Sequence, residues 1–257
     1  MIFKRSIIIL LQKLQILSAV AIRLTKITGK SKYPVHPKHL IKKKLWYREY
    51  LSKNDTLLDM GTNTGQHAID ASRYVRQVAA FDFDRKLLGI ALQKAKDSKV
   101  NNIRFIKANA EKKLPFKDNL FTAVLCLDVL EHLKNESSTL REIKRVLRPN
   151  GKLFLSLPNS ETSWKRRQKS EGLFYYSDPD HKREYSKKAI EKLCRKNKFH
   201  LIFIEPVTLD TPLAPIIDLV GGFSLTIYKY LSEWKKKQIV VKPQDSVGYQ
   251  IYVTNTK

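Results

Sequence analysis

The stretch Leu57-Leu58-Asp59-Met60-Gly61-Thr62-Asn63-Thr64-Gly65 constrains the fold of this chain more than any other. An apolar run ending in an acid and then glycines reads as a buried strand entering a tight turn. Glycine there lets bare backbone come close to a ligand. A helix expected from about Gln66 to Tyr74 points its N-terminal N–H groups at the same place. A second apolar run, Gln77-Val78-Ala79-Ala80-Phe81-Asp82, closes on a carboxylate about twenty residues after the glycines. A carboxylate so placed can accept two hydrogen bonds from the vicinal hydroxyls of a ribose. Asp84 is suited to cap a helix from Arg85 to Ser98. Up to this point the pattern fits either a dinucleotide enzyme or a methyltransferase.

Strands and helices then alternate to Leu157, the mark of a parallel sheet with crossover helices. The decisive residues are Ile103-Arg104-Phe105-Ile106-Lys107-Ala108-Asn109-Ala110-Glu111, Leu114-Pro115-Phe116 and Asn119 to Cys126. Val129-Leu130-Glu131-His132, Arg141-Glu142-Ile143, Arg145 to Gly151 and Leu153 to Asn159 complete the set. With the glycine loop, these residues make the chain resemble the class I S-adenosylmethionine-dependent methyltransferases, in the small-molecule and lipid (type 11-like) branch. The likeness runs from about Leu45 to Asn159 and returns faintly from Asp180 to Pro206.

The resemblance implies an α/β, Rossmann-like fold with a seven-stranded, mostly parallel sheet and helices on both faces. Val247 to Thr254 alternates like a last strand, which in this family lies antiparallel at the far end of the sheet. The implied cofactor is S-adenosyl-L-methionine, leaving as S-adenosyl-L-homocysteine, and no metal is expected. Asp59 belongs to the cofactor-binding set; Gly61, Asn63 and Gly65 would approach the methionine part, Asp82 the ribose, and Asn109 with Ala110 the adenine. Asp128, after the fourth strand, would lie near the methyl group. Three positions depart from the family pattern. Asn63 holds the middle place of a usual three-glycine turn, and asparagine tolerates positive φ. Asn109 replaces a frequent aspartate but keeps an accepting oxygen. Thr122 replaces another aspartate, as a structural change.

A hydroxyl nucleophile must lose its proton, and histidine titrates in the range needed to take it. His132, close after Asp128, is the first candidate base; Glu131 and His132 can instead cap the next helix or hold the segment that follows the fifth strand. His181 in Asp180-His181-Lys182-Arg183-Glu184-Tyr185 is the second candidate, with an ion-paired loop as its alternative. His67 belongs to the cofactor helix.

Charge and hydropathy frame the remainder. The net charge is +25, and residues 1–45 hold eleven Lys or Arg and no acid. Such a field attracts a polyanion, a nucleic acid or an anionic membrane surface; solvated surface charge is the alternative. From Ser6 to Leu24, the residues Ile7, Leu10, Leu14, Leu17, Ala21 and Leu24 share one helical face, with Gln12, Lys13 and Arg23 broadly opposite. This fits an amphipathic helix in a membrane interface better than a spanning helix or a secretory signal, while packing on protein is the competing use. Pro34 and Pro37 mark a basic linker, and a helix is expected from about Lys38 to Leu51. The domain plan is therefore 1–36 as an N-terminal helix and linker, and 37–257 as the methyltransferase domain. Segments 158–185 and 207–245 are expected to cover the substrate; the second is apolar but broken by Asp218 and Gly221-Gly222. The two cysteines, Cys126 and Cys194, lie in different elements and read as buried reduced thiols, consistent with a cytoplasmic protein, peripheral at the membrane.

The expected acceptor is a small molecule, lipid-linked group or glycan, methylated on oxygen. An RNA methyltransferase is the alternative raised by charge alone, without a separate RNA-binding module. A non-catalytic binder of an adenosine cofactor is the third. The oligomeric state is not legible.

Overall fold

The computed structural model describes residues 2–41 and 45–255. In chain order the helices are α1 (Ile2–Lys13), α2 (Ile16–Ile27), α3 (Gln66–Ser72), α4 (Arg85–Asp97), α5 (Glu136–Val146), α6 (Ser163–Ser170), α7 (Lys187–Lys196), α8 (Ala214–Phe223) and α9 (Leu225–Val241). The strands are β1 (Thr56–Met60), β2 (Gln77–Asp82), β3 (Ile103–Lys107), β4 (Phe121–Leu127), β5 (Leu147–Pro158), β6 (His200–Pro206) and β7 (Gly248–Thr254). They form one seven-stranded sheet in the order β3-β2-β1-β4-β5-β7-β6. The chain divides into two compact units, one of residues 45–158, 178–205 and 249–257, the other of residues 1–44, 159–177 and 206–248.

The sheet unit is an α/β arrangement of the expected class. β1 pairs in parallel with β2 and β4, β2 with β3, and β4 with β5. Its central strands are buried on both faces, which is why they read as near-continuous apolar runs. Alternate side chains go to opposite faces: Leu58, Phe81, Val124 and Leu155 to one core, Leu57, Ala80, Leu125 and Phe154 to the other. The strand order reverses beside β1, with β2 on one side and β4 on the other. The carboxyl ends of these strands are therefore the place where ligands bind in such sheets.

Two sequence expectations are corrected here. β7 does not lie at the far end of the sheet but between β5 and β6, and β6 is the edge. Asn150 N–H donates to Asn255 O and Asn159 N–H to Val247 O, so β7 runs antiparallel to β5. The Pro149-Asn150-Gly151 turn is an irregularity inside β5: Asn150 has φ of 59°, and the β4–β5 register shifts between Phe121 and Ala123. The helix expected from Lys38 to Leu51 is also absent from the described part. There are instead single 3-10 turns at Pro37–His39 and Arg48–Tyr50, while residues 42–44 of that expectation lie outside the described residues. Pro37 opens the first turn, and Tyr47, fully buried, ends the stretch against the sheet core.

Within the other unit, α2 packs on α8. Glycine is required at this crossing, because a Cβ on Gly221 would come within 2.7 Å of Pro37 and Tyr228, and one on Gly222 within 2.9 Å of Leu24. Asp218, which breaks the apolar stretch, accepts from Ser18 at 2.8 Å and pairs with His36 at 3.2 Å. Burial raises its pKa, but these partners outweigh that and hold it below the usual carboxylate value. The N-terminal helix is present but broken at Leu14–Gln15, where 3-10 bonds to Leu11 and Gln12 interrupt it. On the expected apolar face Ala21 is buried, whereas Ile7 and Leu10 are exposed. By length and composition Arg5–Ile27 could cross a membrane.

Candidate functional site

The glycine turn has the backbone its residues predict. Gly61 and Gly65 have φ of 64° and 79°, and Asn63 takes the third left-handed position at 52°. Space as well as conformation demands the glycines: a Cβ on Gly61 would meet Val129 at 2.7 Å, and one on Gly65 would meet Ala91 at 2.8 Å. The turn is tied at both ends. Thr62 N–H donates to Phe81 O, and its hydroxyl donates to Asp59 at 2.6 Å. Burial raises the pKa of Asp59, although Thr62 and His67 work against the shift. His67 in turn bonds the hydroxyl of Tyr47 at 2.8 Å. Asp59 thus supports the loop from beneath it.

Asp82 is buried, and each carboxylate oxygen accepts one backbone bond, from Asn63 N–H at 2.8 Å and Asp84 N–H at 3.0 Å. It locks the glycine turn to the end of β2 and retains lone pairs for a ligand. Asp84 caps α4 as expected, accepting from Lys86 and Leu87. Phe83, between the two acids, is 72% exposed. Sequence reasoning passed over it, yet an exposed ring beside the Asp82 carboxylate could cover the flat face of a base. Past β3, exposed Asn109 uses its side-chain oxygen on Glu111 N–H at 2.8 Å, which fixes the turn. The carbonyl of Ala110 accepts from Thr139 at 3.0 Å. Thr122 is structural, as its position suggested: its hydroxyl donates to Asp55 and accepts from Thr56 N–H.

At the end of β4 the chain turns sharply. Asp128 has φ of 54°, and its carboxylate accepts from Ser156 of β5 at 2.6 Å. A 3-10 turn at Leu130–His132 follows. Helix α5 is capped by Asn135, so neither Glu131 nor His132 serves as its cap. Glu131 is instead 1% exposed, and its backbone carbonyl accepts from Lys182 N–H at 2.7 Å. This brings the two candidate histidines together, with the His132 and His181 rings 4.8 Å apart and edge-on. His181 Nδ1 lies 3.0 Å from the buried Glu184 carboxylate. Burial first, and then the nearby carboxylates of Asp128, Glu184 and Asp178, push the pKa of Glu131 up to about 8. Glu131 thus lies beside both histidines and Glu184 bonds His181, whereas the sequence offered Glu131 as a helix cap or a hold on the following segment and Glu184 as part of an ion-paired loop.

The glycine turn and Asp82 meet at the carboxyl ends of β1 and β2, the place where a ligand such as S-adenosylmethionine would be held in such a sheet. Gly61, Asn63, Gly65, Asp82, Asn109, Ala110 and Asp128 are the residues that would hold it.

Known proteins share this framework. Residues 58–155 match the family model of the methyltransferase domain. An uncharacterized methyltransferase, YcgJ of Bacillus subtilis, is 31% identical over 99 residues, 38% of this chain and 39% of that protein. The ubiquinone/menaquinone biosynthesis C-methyltransferase UbiE of Vibrio cholerae is 34% identical over 103 residues, again 38% and 39%. The chain thus spans about two fifths of the length of these curated relatives. Among solved structures, a SAM-dependent methyltransferase from Methanosarcina mazei superposes with a TM-score of 0.58 at 17% identity. That match covers 84% of this chain and 99% of the other, and it shows a common fold. Over residues 58–155, with the glycine turn at the switch point of the sheet, this chain is similar to the S-adenosylmethionine-dependent methyltransferases and shares their fold.

Proposed function

We propose that the protein is an S-adenosylmethionine-dependent methyltransferase acting on an oxygen of a small-molecule, lipid-linked or glycan acceptor at a membrane surface. The observation that carries the reading is the Gly61–Gly65 turn locked by Asp82 at the carboxyl end of β1. When bound, the cofactor supplies a methyl group on a positively charged sulfur, open to in-line attack. The work of the protein is then to hold the acceptor in line and keep it reactive. Asp128, anchored by Ser156, marks the methyl end of the cradle. The neighbouring His132 and His181 are the groups able to draw a proton from an acceptor hydroxyl. Glu184 orients His181 for that task.

The membrane part of the reading is supported by the unit that contains the N-terminus. Leu10, Ile16 and Ile27 of the N-terminal helices, and Phe223, Ile227 and Tyr230 farther on, are all exposed. They accompany the acid-free basic segment, and each Lys or Arg near an anionic leaflet contributes about 1 kcal/mol. If a chain lacking residues 1–31 partitions onto anionic liposomes as well as the intact one, this part falls. The name of the UbiE relatives, C-methyltransferases of ubiquinone/menaquinone biosynthesis, supports a second acceptor chemistry, methylation at carbon. An RNA acceptor rests on charge alone.

The first experiment is calorimetric titration with S-adenosylmethionine, for the intact protein and for Asp82→Ala. It is followed by transfer of labelled methyl to membrane lipid, glycan and RNA fractions. Micromolar binding that Asp82→Ala abolishes supports the cofactor site. Binding without transfer to any fraction favours a non-catalytic cofactor binder.

A further inference from the structure

Among the described residues, one buried side-chain oxygen has no hydrogen-bond partner, Oε2 of Glu131. Leaving a buried carboxylate oxygen unpaired is costly, since its hydration is lost and nothing replaces it. The groups around it are of one kind. Glu131, His132 and His181 each offer a ligand atom, and the three atoms lie within 4.8 Å of one another. Three further carboxylates, of Asp128, Glu184 and Asp178, add negative potential at Glu131. No arginine or lysine is paired with the Glu131 carboxylate among the described residues. The cluster is thus short of positive charge, within a chain that carries +25 overall.

We propose that Glu131, His132 and His181 form a binding site for one divalent transition-metal cation. Two imidazoles and one carboxylate favour Mn2+, Fe2+, Co2+ or Zn2+ over Mg2+ or Ca2+, which prefer all-oxygen shells. Ligand bonds of about 2.0–2.2 Å put neighbouring donor atoms about 3.3 Å apart, so modest side-chain rotations close the observed spacing. Glu184 supplies the support that metal-bound histidines need. It accepts the proton of His181 Nδ1, which fixes the tautomer and leaves the Nε2 lone pair for the cation. Three protein ligands leave coordination positions open, as catalytic rather than structural sites do.

The use of such a cation rests on the O-methylation reading. A hydroxyl of the acceptor entering an open position would become more acidic, and its proton would pass to water. The acceptor oxygen then forms the new bond to the methyl carbon while the carbon–sulfur bond breaks and its electron pair stays on sulfur. In that scheme His132 and His181 act as ligands, and neither needs to take the proton.

The test is binding of the metal alone to the full-length protein, stripped of metal with chelator. Co2+ is titrated by visible absorption and Mn2+ by electron paramagnetic resonance, both without S-adenosylmethionine. We expect one equivalent, with affinity falling at least about 100-fold in His132→Ala and in His181→Ala, and about 10-fold in Glu184→Gln. Circular dichroism and retained S-adenosylmethionine binding show that each variant is folded. Glu131→Gln, the mildest change at the buried position, should weaken Co2+ without altering the fold. Absence of Co2+ and Mn2+ binding, or the same affinity in His181→Ala, overturns the site. Metal binding with no methyl transfer to any hydroxyl acceptor upholds the site and removes the O-methylation reading. Transfer that is indifferent to chelator, in a protein that binds no Co2+, does the reverse.

Discussion

Two buried acids, Asp82 at the carboxyl end of β2 and Glu131 just past that of β4, on either side of β1, have opposite surroundings. Asp82 is met by two backbone N–H groups, from Asn63 and Asp84, one on each oxygen. Glu131 is more deeply buried, has an unpaired oxygen, and is surrounded by other acids. Burial alone therefore says little about a carboxylate. A satisfied one holds backbone in place, here the glycine turn. An unsatisfied one has its charge suppressed and remains available to something that the chain does not provide.

The comparison can be tested by substitution, beginning with the largest effect. Asp82→Ala leaves two N–H groups without acceptors and should cost about 2–3 kcal/mol in urea unfolding. It should also reduce S-adenosylmethionine affinity at least about 100-fold, or about 2.7 kcal/mol. Asp82→Asn, which keeps one accepting oxygen, should fall between this variant and wild type. Next comes Gly65→Ala, which forces a Cβ into the left-handed region and towards Ala91. A loss of about 1–3 kcal/mol and about tenfold weaker cofactor binding are expected.

A third acid sharpens the contrast. Burial raises the pKa of Asp55, but bonds from Thr122, Lys152 and Ser52 N–H outweigh it and leave the value below the ordinary 3.8. A depressed folded-state pKa stabilises the protein above the unfolded value, and that stability is lost as pH falls below 3.8 through the folded value. Thr122→Val should cost about 1 kcal/mol at neutral pH and flatten the acid limb of a melting-temperature profile. The smallest effect is expected of Glu131→Gln. In metal-free protein its unfolding free energy should stay within about 1 kcal/mol of wild type, or rise, because no partner is lost. A loss as large as that of Asp82→Ala would show that the Glu131 carboxylate is fully partnered, and the contrast would collapse.

Legibility in the sequence followed the range of the interactions. The glycine turn, the acid closing β2 and the Asp84 cap were visible because each is made by residues close in the chain. Positive φ and helix capping have short, residue-specific signatures. The place of β7 was missed because strand pairing depends on partners more than a hundred residues away, as Asn150 and Asn255 are. Pro149-Asn150-Gly151 has the composition of a turn, but it lies inside β5 as an irregularity and not ahead of the strand. Asn109 was expected at the adenine, and the structure adds that its side-chain oxygen first closes its own turn.

The sequence alone determined the order of elements, the cofactor turn and the residues at the strand ends, since local backbone preference and apolar patterning are written residue by residue. Only tertiary structure decided that His181 would meet His132, forty-nine positions away, over a buried Glu131. Only tertiary structure, too, gathered residues 1–44, 159–177 and 206–248 into one compact unit. Those outcomes depend on which surfaces close on one another. That is settled by packing and by the satisfaction of buried polar groups, to which residues distant in sequence contribute equally.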